Sequence, residues 1–497
     1  MVTKKSASQT AAKMSPAACG VPADGCGPRA GCPDDWKVRI RMYRKWLGDC
    51  FLLTFRNGGN ENHIMIDCGA LSGTPEGKQK IADAVDDIFQ VTGGKLAALV
   101  VTHEHWDHVS GFSDAIASFK KFNSPGNGGI GEAWAAWTED PNETIAVEKK
   151  KQNKLLFDSV KSALAAWNAS SADEDQDRGA AVAALMSFMP PEGLAAFAAN
   201  TNTAMHNALS LGRKRLLSPG DIVELDQIPG LCVYVLGPPK DLKELHTLVG
   251  DVGRDMYGMA RESYRLAGVE AFRVAAGQPD SDCYMPFEPH LHWDEKAWSE
   301  KWGELARSYN AEPVRKIDRD WLNSAAELAL QLDSFTNNTS LVLAFELTDS
   351  KEVLLFVGDA QVGNWQSWAD VKFPDSKVKA ADLLSRTVFY KVGHHGSHNA
   401  TLKQGGLDAM TSPKLVAAIP VDEEFAHRPK GGCPKGWNMP AAPLLNALLE
   451  KTAGRVLRAD SNFPKDCAKP GKLSDEDWNN FKQSTNIQDH FIEYFVR

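Results

Sequence analysis

The run Thr102-His103-Glu104-His105-Trp106-Asp107-His108 follows the apolar stretch Leu96 to Val101 and sets four strong metal-ligating side chains within six residues. Neutral imidazole and carboxylate are donors that first-row divalent cations take. Placed at the end of a buried strand, they project from a sheet edge into a cleft. One ion cannot use all four comfortably. The spacing suits two ions about 3.5–4 Å apart, His103 and His105 facing one, Asp107 and His108 the other. Glu104 and Trp106 alternate with these ligands and are expected to point away.

Two further apolar strands end in ligand types. Val353 to Val357 runs into Gly358-Asp359-Ala360, and Thr387 to Val392 runs into Gly393-His394-His395-Gly396-Ser397-His398. A carboxylate such as Asp359 can bridge two cations, and an imidazole from the His394/His395 pair can complete the second ion, the glycines letting backbone come close. His394, first after its strand, is the expected ligand, with His395 the alternative. Two bound cations would ionise a bridging water near neutral pH, and the hydroxide would attack carbon or phosphorus, so the protein need supply no nucleophile. Whichever of His395 and His398 is not a ligand can donate a proton to the leaving group or hold a phosphate oxygen.

His-x-His-x-Asp-His, then Gly-Asp, then His-His-Gly-Ser resembles the motif series of the metallo-β-lactamase fold superfamily. It is more narrowly similar to the ComEC-type branch, named after the hydrolase-like domain attached to bacterial DNA-uptake channels. Trp46-Leu-Gly-Asp49-Cys-Phe-Leu-Leu-Thr-Phe55, His63-Ile-Met-Ile-Asp67-Cys-Gly69, Asn337-Asn338-Thr-Ser340-Leu-Val-Leu343, Gly220-Asp221 and Val235-Leu-Gly237-Pro238 look like the same branch. The resemblance covers roughly residues 37–138, 212–239 and 335–497. It implies a soluble metallo-hydrolase without the channel, with nuclease or phosphodiesterase activity and two divalent ions, zinc or manganese. By analogy Asp107 ligates the second metal and orients the hydroxide. The chain departs from the wider family at the third motif, where no histidine stands. The nearest equivalents are Asn337 and Asn338, and an amide oxygen is a weaker, harder ligand that leaves the first position loose, water-rich or suited to manganese. His206, His246, His290 and His292 follow no strand leading to Gly-Asp and read as surface or core histidines.

These ligands need strands to position them. Short strands are expected at 38–44, 50–56, 63–67 and 96–102, with a helix near Lys78 to Gln90 before the last. A second β-rich half follows, at 340–347, 352–357, 386–392, 414–420, 454–459 and 490–496, with a helix at Ala442 to Ala453. Two sheets face to face with helices outside make an α/β protein of the αββα sandwich type, with the ligand-bearing strand ends meeting at one edge. Two mostly helical insertions interrupt it. Residues 140–211 carry 3.6-residue apolar spacing at Leu155, Val160, Leu164 and Trp167. Residues 240–334 are split by the Pro- and aromatic-rich stretch Gln278 to Trp293. Residues 1–36 are expected to be a disordered N-terminal segment, and 37–497 one elaborated domain. Gly126-Asn-Gly-Gly-Ile-Gly131 precedes a β-like stretch instead of opening a helix, so it does not read as a nucleotide-binding loop. P-loop and serine-hydrolase signatures are absent from the sequence.

The net charge of −9 over 497 residues does not suit a protein that grips nucleic acid by bulk electrostatics. Local clusters at Lys149-Lys150-Lys151, Arg213-Lys214-Arg215 and Arg428 to Lys435 read as solvated faces. Nine scattered cysteines, with no C-x-x-C pair, favour reduced thiols in the cytoplasm, Cys50 and Cys68 in the core. No apolar run approaches the roughly 18 residues that span a bilayer, and no hydrophobic core follows Lys4 and Lys5 as a secretory signal would require. Phosphodiester hydrolysis, with nucleic acid or a small phosphodiester as substrate, is the first expectation. Hydrolysis of a small ester, lactone, thioester or phosphocholine-type ester is the second. A metal-bearing non-catalytic scaffold, binding a partner protein through its helical insertions, is the third.

Overall fold

The computed structural model describes residues 33, 35–168, 197–245, 247, 300–311, 334–374, 376–428, 436–461 and 473–497. The chain opens with antiparallel strands β1 (Val38–Tyr43), β2 (Cys50–Asn57) and β3 (Asn60–Cys68). Gly58 and Gly59, both at positive φ (55° and 89°), make the two-residue turn between β2 and β3. Helix α1 (Gly77–Thr92) then crosses over, and β4 (Lys95–Val100) lies parallel to β3. Strands β5 (Gly129–Ala136) and β6 (Arg213–Leu217) extend that parallel run.

The second sheet begins antiparallel with β7 (Ile222–Glu224), β8 (Leu231–Gly237) and β9 (Val342–Leu347). It turns parallel through β10 (Val353–Phe356), β11 (Thr387–Lys391), β12 (Val416–Ile419) and β13 (Val456–Arg458). The chain ends in β14 (Thr485–Ile487) and β15 (Phe491–Val496), which returns to the first sheet beside β1. The sheets are thus eight strands in the order β14-β15-β1-β2-β3-β4-β5-β6 and seven in the order β13-β12-β11-β10-β9-β8-β7.

Period-two alternation builds three apolar layers from these strands. On β2, Phe51, Leu53 and Phe55 enter the layer between the sheets, and Cys50 and Leu52 enter the layer under α1. On β10, Leu354 and Phe356 face the first sheet, and Val353 and Leu355 pack with Leu444 and Leu448 of the helix Ala442–Lys451. Ile81, Val85 and Ile88 of α1 cover the other outer face. This is the αββα sandwich expected from the strand pattern. Strand bounds agree to within a few residues, and Glu132 to Trp137 is strand as far as Ala136.

Helices Thr144–Asn168 and Phe197–Ser210 occupy the described parts of the first expected insertion, and Leu242–Leu245 and Gly303–Ala311 those of the second. The stretch 278–293, His246, His290, His292, Cys19, Cys26, Cys32, Lys430 to Lys435 and nearly all of 1–36 lie outside the described residues. Of the described basic clusters, only Lys149 departs from the expected solvated face. Lys149 is buried, its Nζ 3.9 Å from Glu104, and Lys150 pairs with Glu139 at 3.0 Å. Arg213 and Arg215 both pair with Glu132, one strand away. Arg213 and Lys214 stay exposed, the solvated face expected, and the carboxylate partners come from neighbouring elements that sequence does not reveal. Cys50, Cys68 and Cys232 are buried free thiols, and no helix among the described residues is long and apolar enough to cross a membrane.

Candidate metal centre

The sheet edge where β3, β4, β10 and β11 end collects the ligand types. After β4, residues 101–105 leave the sheet, and the one-turn helix α2 (Trp106–Val109) carries Asp107 and His108 inward. Gly69, just after β3, lies so close to this turn that a Cβ there would stand 2.3 Å from the Asp107 carbonyl carbon. Gly358 sits at φ +54°, and a Cβ on it would meet Ser340 and Thr102 at 2.9 Å. The Ser340 hydroxyl accepts the Asp359 N–H at 2.9 Å, fixing the carboxylate that follows. Asp67, His394 and His395 all hold left-handed backbone (φ 54°, 44° and 51°), a strained state for residues other than glycine that collects at functional sites.

Asp107, His108, Asp359 and His395, all buried, bring ligand atoms within 4.8 Å of one another. A second group, Asp49, Asp67 and His108, adjoins it. The His103 ring lies 4.2 Å from that of His108 and 4.8 Å from that of His105, centroid to centroid. The His394 ring is 6.2 Å from that of His395, and the His394 backbone N–H donates to Asp359 Oδ1 at 2.8 Å. The geometry thus groups His395, the alternative from sequence, with the carboxylates. His398 and His206 are exposed.

The grouped side chains are held by one another and by neighbouring groups, and His395 uses both ring nitrogens. His108 Nδ1 pairs with Asp67 Oδ2 at 2.8 Å, and Asp67 accepts both the N–H and the hydroxyl of Thr102 at 2.7 Å. His103 Nδ1 meets Thr102 Oγ1 at 3.1 Å, and His395 Nδ1 donates to the Pro420 carbonyl at 2.7 Å. Asp359 Oδ1 accepts from His394 N–H and, at 3.2 Å, from Lys391. His103 Nε2 and Asp107 Oδ1 remain buried without a hydrogen bond among the described residues, and His108 Nε2 and Asp359 Oδ2 face each other at 3.1 Å as an ion pair. An unbonded buried atom of this kind costs about 1–3 kcal/mol, and the four together make a donor set that suits a divalent cation. The residues therefore fit a metal, held by second partners in the way metal-site imidazoles and carboxylates usually are.

Charge points the same way. Asp49, Asp67, Asp107 and Asp359 are buried together with one ammonium, Lys391, which pairs with Asp49 and donates to the Gly358 carbonyl at 2.8 Å. Burial drives His103 well below the usual imidazole range and takes His105 and His394 to about 4, so all three stand as neutral donors. Burial also opposes charge on His108, yet Asp359, Asp49, Asp107 and Asp67 hold it well above its ordinary value. His395 is raised against burial by Asp107 and Asp359. Burial would raise Asp107 and Asp359, but His108 and His395, joined by Lys391 at Asp359, keep both below their ordinary value. The cluster thus draws positive charge to its centre, and a bound cation supplies that charge in place of protons.

Lys391 and Asp49 were not read as site residues from sequence. Lys391 did carry a signal, a lone charge within the apolar strand Thr387 to Val392. Of the third-motif candidates, Asn338 is fully engaged. Its Nδ2 donates to Leu245 O (3.1 Å) and Thr247 O (3.0 Å), and its Oδ1 accepts from Gln361 N–H (3.2 Å) and Asn364 N–H (3.3 Å). Asn337, fully buried, is the hydrogen-bonding neighbour of the His105 ring.

The family model of the metallo-β-lactamase superfamily matches residues 43–275, which include the His103 to His108 run. Among solved structures, the chain is similar to a beta-lactamase domain protein from Burkholderia ambifaria, with 18% identity and a TM-score of 0.20. That similarity covers 44% of this chain and 50% of the other, so the chain spans about half the length of the structure it matches. No curated protein matches the chain.

Proposed function

We propose that this chain, a metallo-β-lactamase superfamily hydrolase in its sequence match and sandwich, hydrolyses phosphodiester bonds with two divalent ions, manganese or zinc. The observation that carries the reading is the convergence of Asp107, His108, Asp359 and His395 within 4.8 Å, all buried. Bound there, a divalent cation lowers the pKa of a water and offsets charge on a phosphoryl oxygen. The donor set is rich in carboxylate, and carboxylate with imidazole suits manganese or zinc facing a hard phosphate oxygen.

The chain's own residues have separable parts. Asp107 and Asp359 supply anionic oxygens, His108 and His395 complete the cluster, and His103 and His105 flank it. In this reading His394, a neutral imidazole beside Asp359, hydrogen-bonds a phosphate oxygen, and exposed His398 protonates the leaving group. Arg213 and Arg215 pair with Glu132, and Lys150 with Glu139, so these cations are partly neutralised, and the net charge of −9 does not favour long duplex DNA. This favours a short or small phosphodiester.

The test is hydrolysis of bis(p-nitrophenyl) phosphate, single-stranded DNA and double-stranded DNA with added manganese or zinc, comparing wild type with Asp107→Ala. Metal-dependent cleavage that vanishes in the variant supports the proposal. Wild type inactive on all three but active on p-nitrophenyl acetate or a lactone moves the substrate to carboxylic esters. Inactivity on every ester, with metal bound, leaves a scaffold.

A further inference from the structure

The two halves of the metal centre are unequally furnished. Among the described residues, the groups of three or more ligating side chains are Asp107, His108, Asp359 and His395, and Asp49, Asp67 and His108. Neither contains His103 or His105. The chain just before β9 meets that pair through Asn337 at His105, and its neighbour Asn338 has spent its whole amide on Leu245, Thr247, Gln361 and Asn364. Asn337 is left, at 0% exposure, against the His105 ring. A neutral amide oxygen brings no charge and binds first-row cations more weakly than imidazole.

Resting on the metal-hydrolase reading above, we infer that the centre holds one ion tightly, at Asp107, His108, Asp359 and His395. The second, at His103 and His105, is held weakly because Asn337 stands where a third strong ligand is needed. The weaker position fills at high metal concentration or when a substrate oxygen adds a donor. Its affinity is expected to fall below that of the tight position by about 10- to 100-fold or more, the range that even changes outside the ligand shell produce.

The test counts metal on the protein, independently of turnover. Apo protein is loaded with Mn²⁺ or Zn²⁺, desalted and analysed for metal, with calorimetric titration of the same ions. Wild type is expected to retain about one ion per chain and to show a second, weaker isotherm. His103→Ala is expected to keep the retained ion, His395→Ala to lose it, and Asn337→His to retain two. Retention of two ions by wild type, or equal loss from His103→Ala and His395→Ala, overturns the inference. If Asn337→His does not fold, the contrast between the two alanine variants still decides. One retained ion without hydrolysis of any ester would overturn the hydrolase reading and leave the unequal centre standing.

Discussion

His395 Nε2 lies 2.7 Å from Asp107 Oδ2, and this contact joins the turn after β11 to the turn after β4 across 288 positions of sequence. The contact ties the ends of the two sheets together at the edge where the candidate ligands lie, and in the proposed metal centre these two side chains would be ligands. Asp107→Asn keeps the shape of the side chain and removes its charge. Loss of the carboxylate removes several kcal/mol of charge stabilisation, so kcat/KM for phosphodiester cleavage is expected to fall about 1000-fold or more. Steady-state kinetics with saturating Mn²⁺ checks this, and a fall under tenfold would remove Asp107 from the reaction.

Asp67 holds His108 by Nδ1 and is itself held by Thr102, in the left-handed turn at the end of β3. Its hydrogen bonds run to His108 Nδ1 and to Thr102. Its role is to fix which face and which nitrogen His108 offers. Asp67→Asn is expected to weaken metal binding by about 10- to 100-fold, with the fold retained. Calorimetric titration against Mn²⁺ reads this directly, and unchanged affinity would make Asp67 a turn residue only.

The strand ends that carry the ligands were legible because each apolar run stops at a glycine or at the ligand itself, and period two then fixes which residues face the core. The choice between His394 and His395 was not legible. Both sit in left-handed backbone, where no regular period predicts direction, and what distinguishes them is the Pro420 carbonyl and Asp107 around His395. Lys149 read as a solvated charge because its acidic neighbour, Glu104, lies on a different element. Asn337 and Asn338 are identical in type and adjacent, and the backbone groups of Leu245, Gln361 and Asn364 that separate them come from other segments. Sequence pattern shows what a residue offers, and long-range partners decide which offers are taken.

Lys391 is the positive charge built into the cluster, paired with Asp49 and Asp359 while fully buried. Removing one member of a buried pair leaves uncompensated charge and costs about 3–5 kcal/mol. Lys391→Met fills similar space with no ammonium, so metal-free protein is expected to lose that amount in urea unfolding at neutral pH. Added Mn²⁺ is expected to recover part of the loss, because a cation relieves the same carboxylates. An unchanged unfolding midpoint without metal would show that Asp49 and Asp359 do not depend on Lys391.

His63 lies on the hairpin that leads to Asp67, opposite Thr54, whose Oγ1 it meets at 3.0 Å. Burial first, then Arg39, Arg41 and Lys95, lower its pKa from 6.5 to about 4. Above pH 6.5 the ring is neutral in both folded and unfolded chains, and its contribution is complete. Between pH 6.5 and 4 the unfolded chain takes up a proton that the folded chain refuses, so stability falls as the pH falls. Below 4 the loss is complete, at about 3 kcal/mol. His63→Asn has no proton to take up and is expected to show a shallower decline in unfolding free energy between pH 7 and 4.5. The depressed His103, His105 and His394 act in the same direction in both proteins, so the difference between the two profiles isolates His63. Parallel profiles would show that the ring protonates as readily in the folded chain as in the unfolded one.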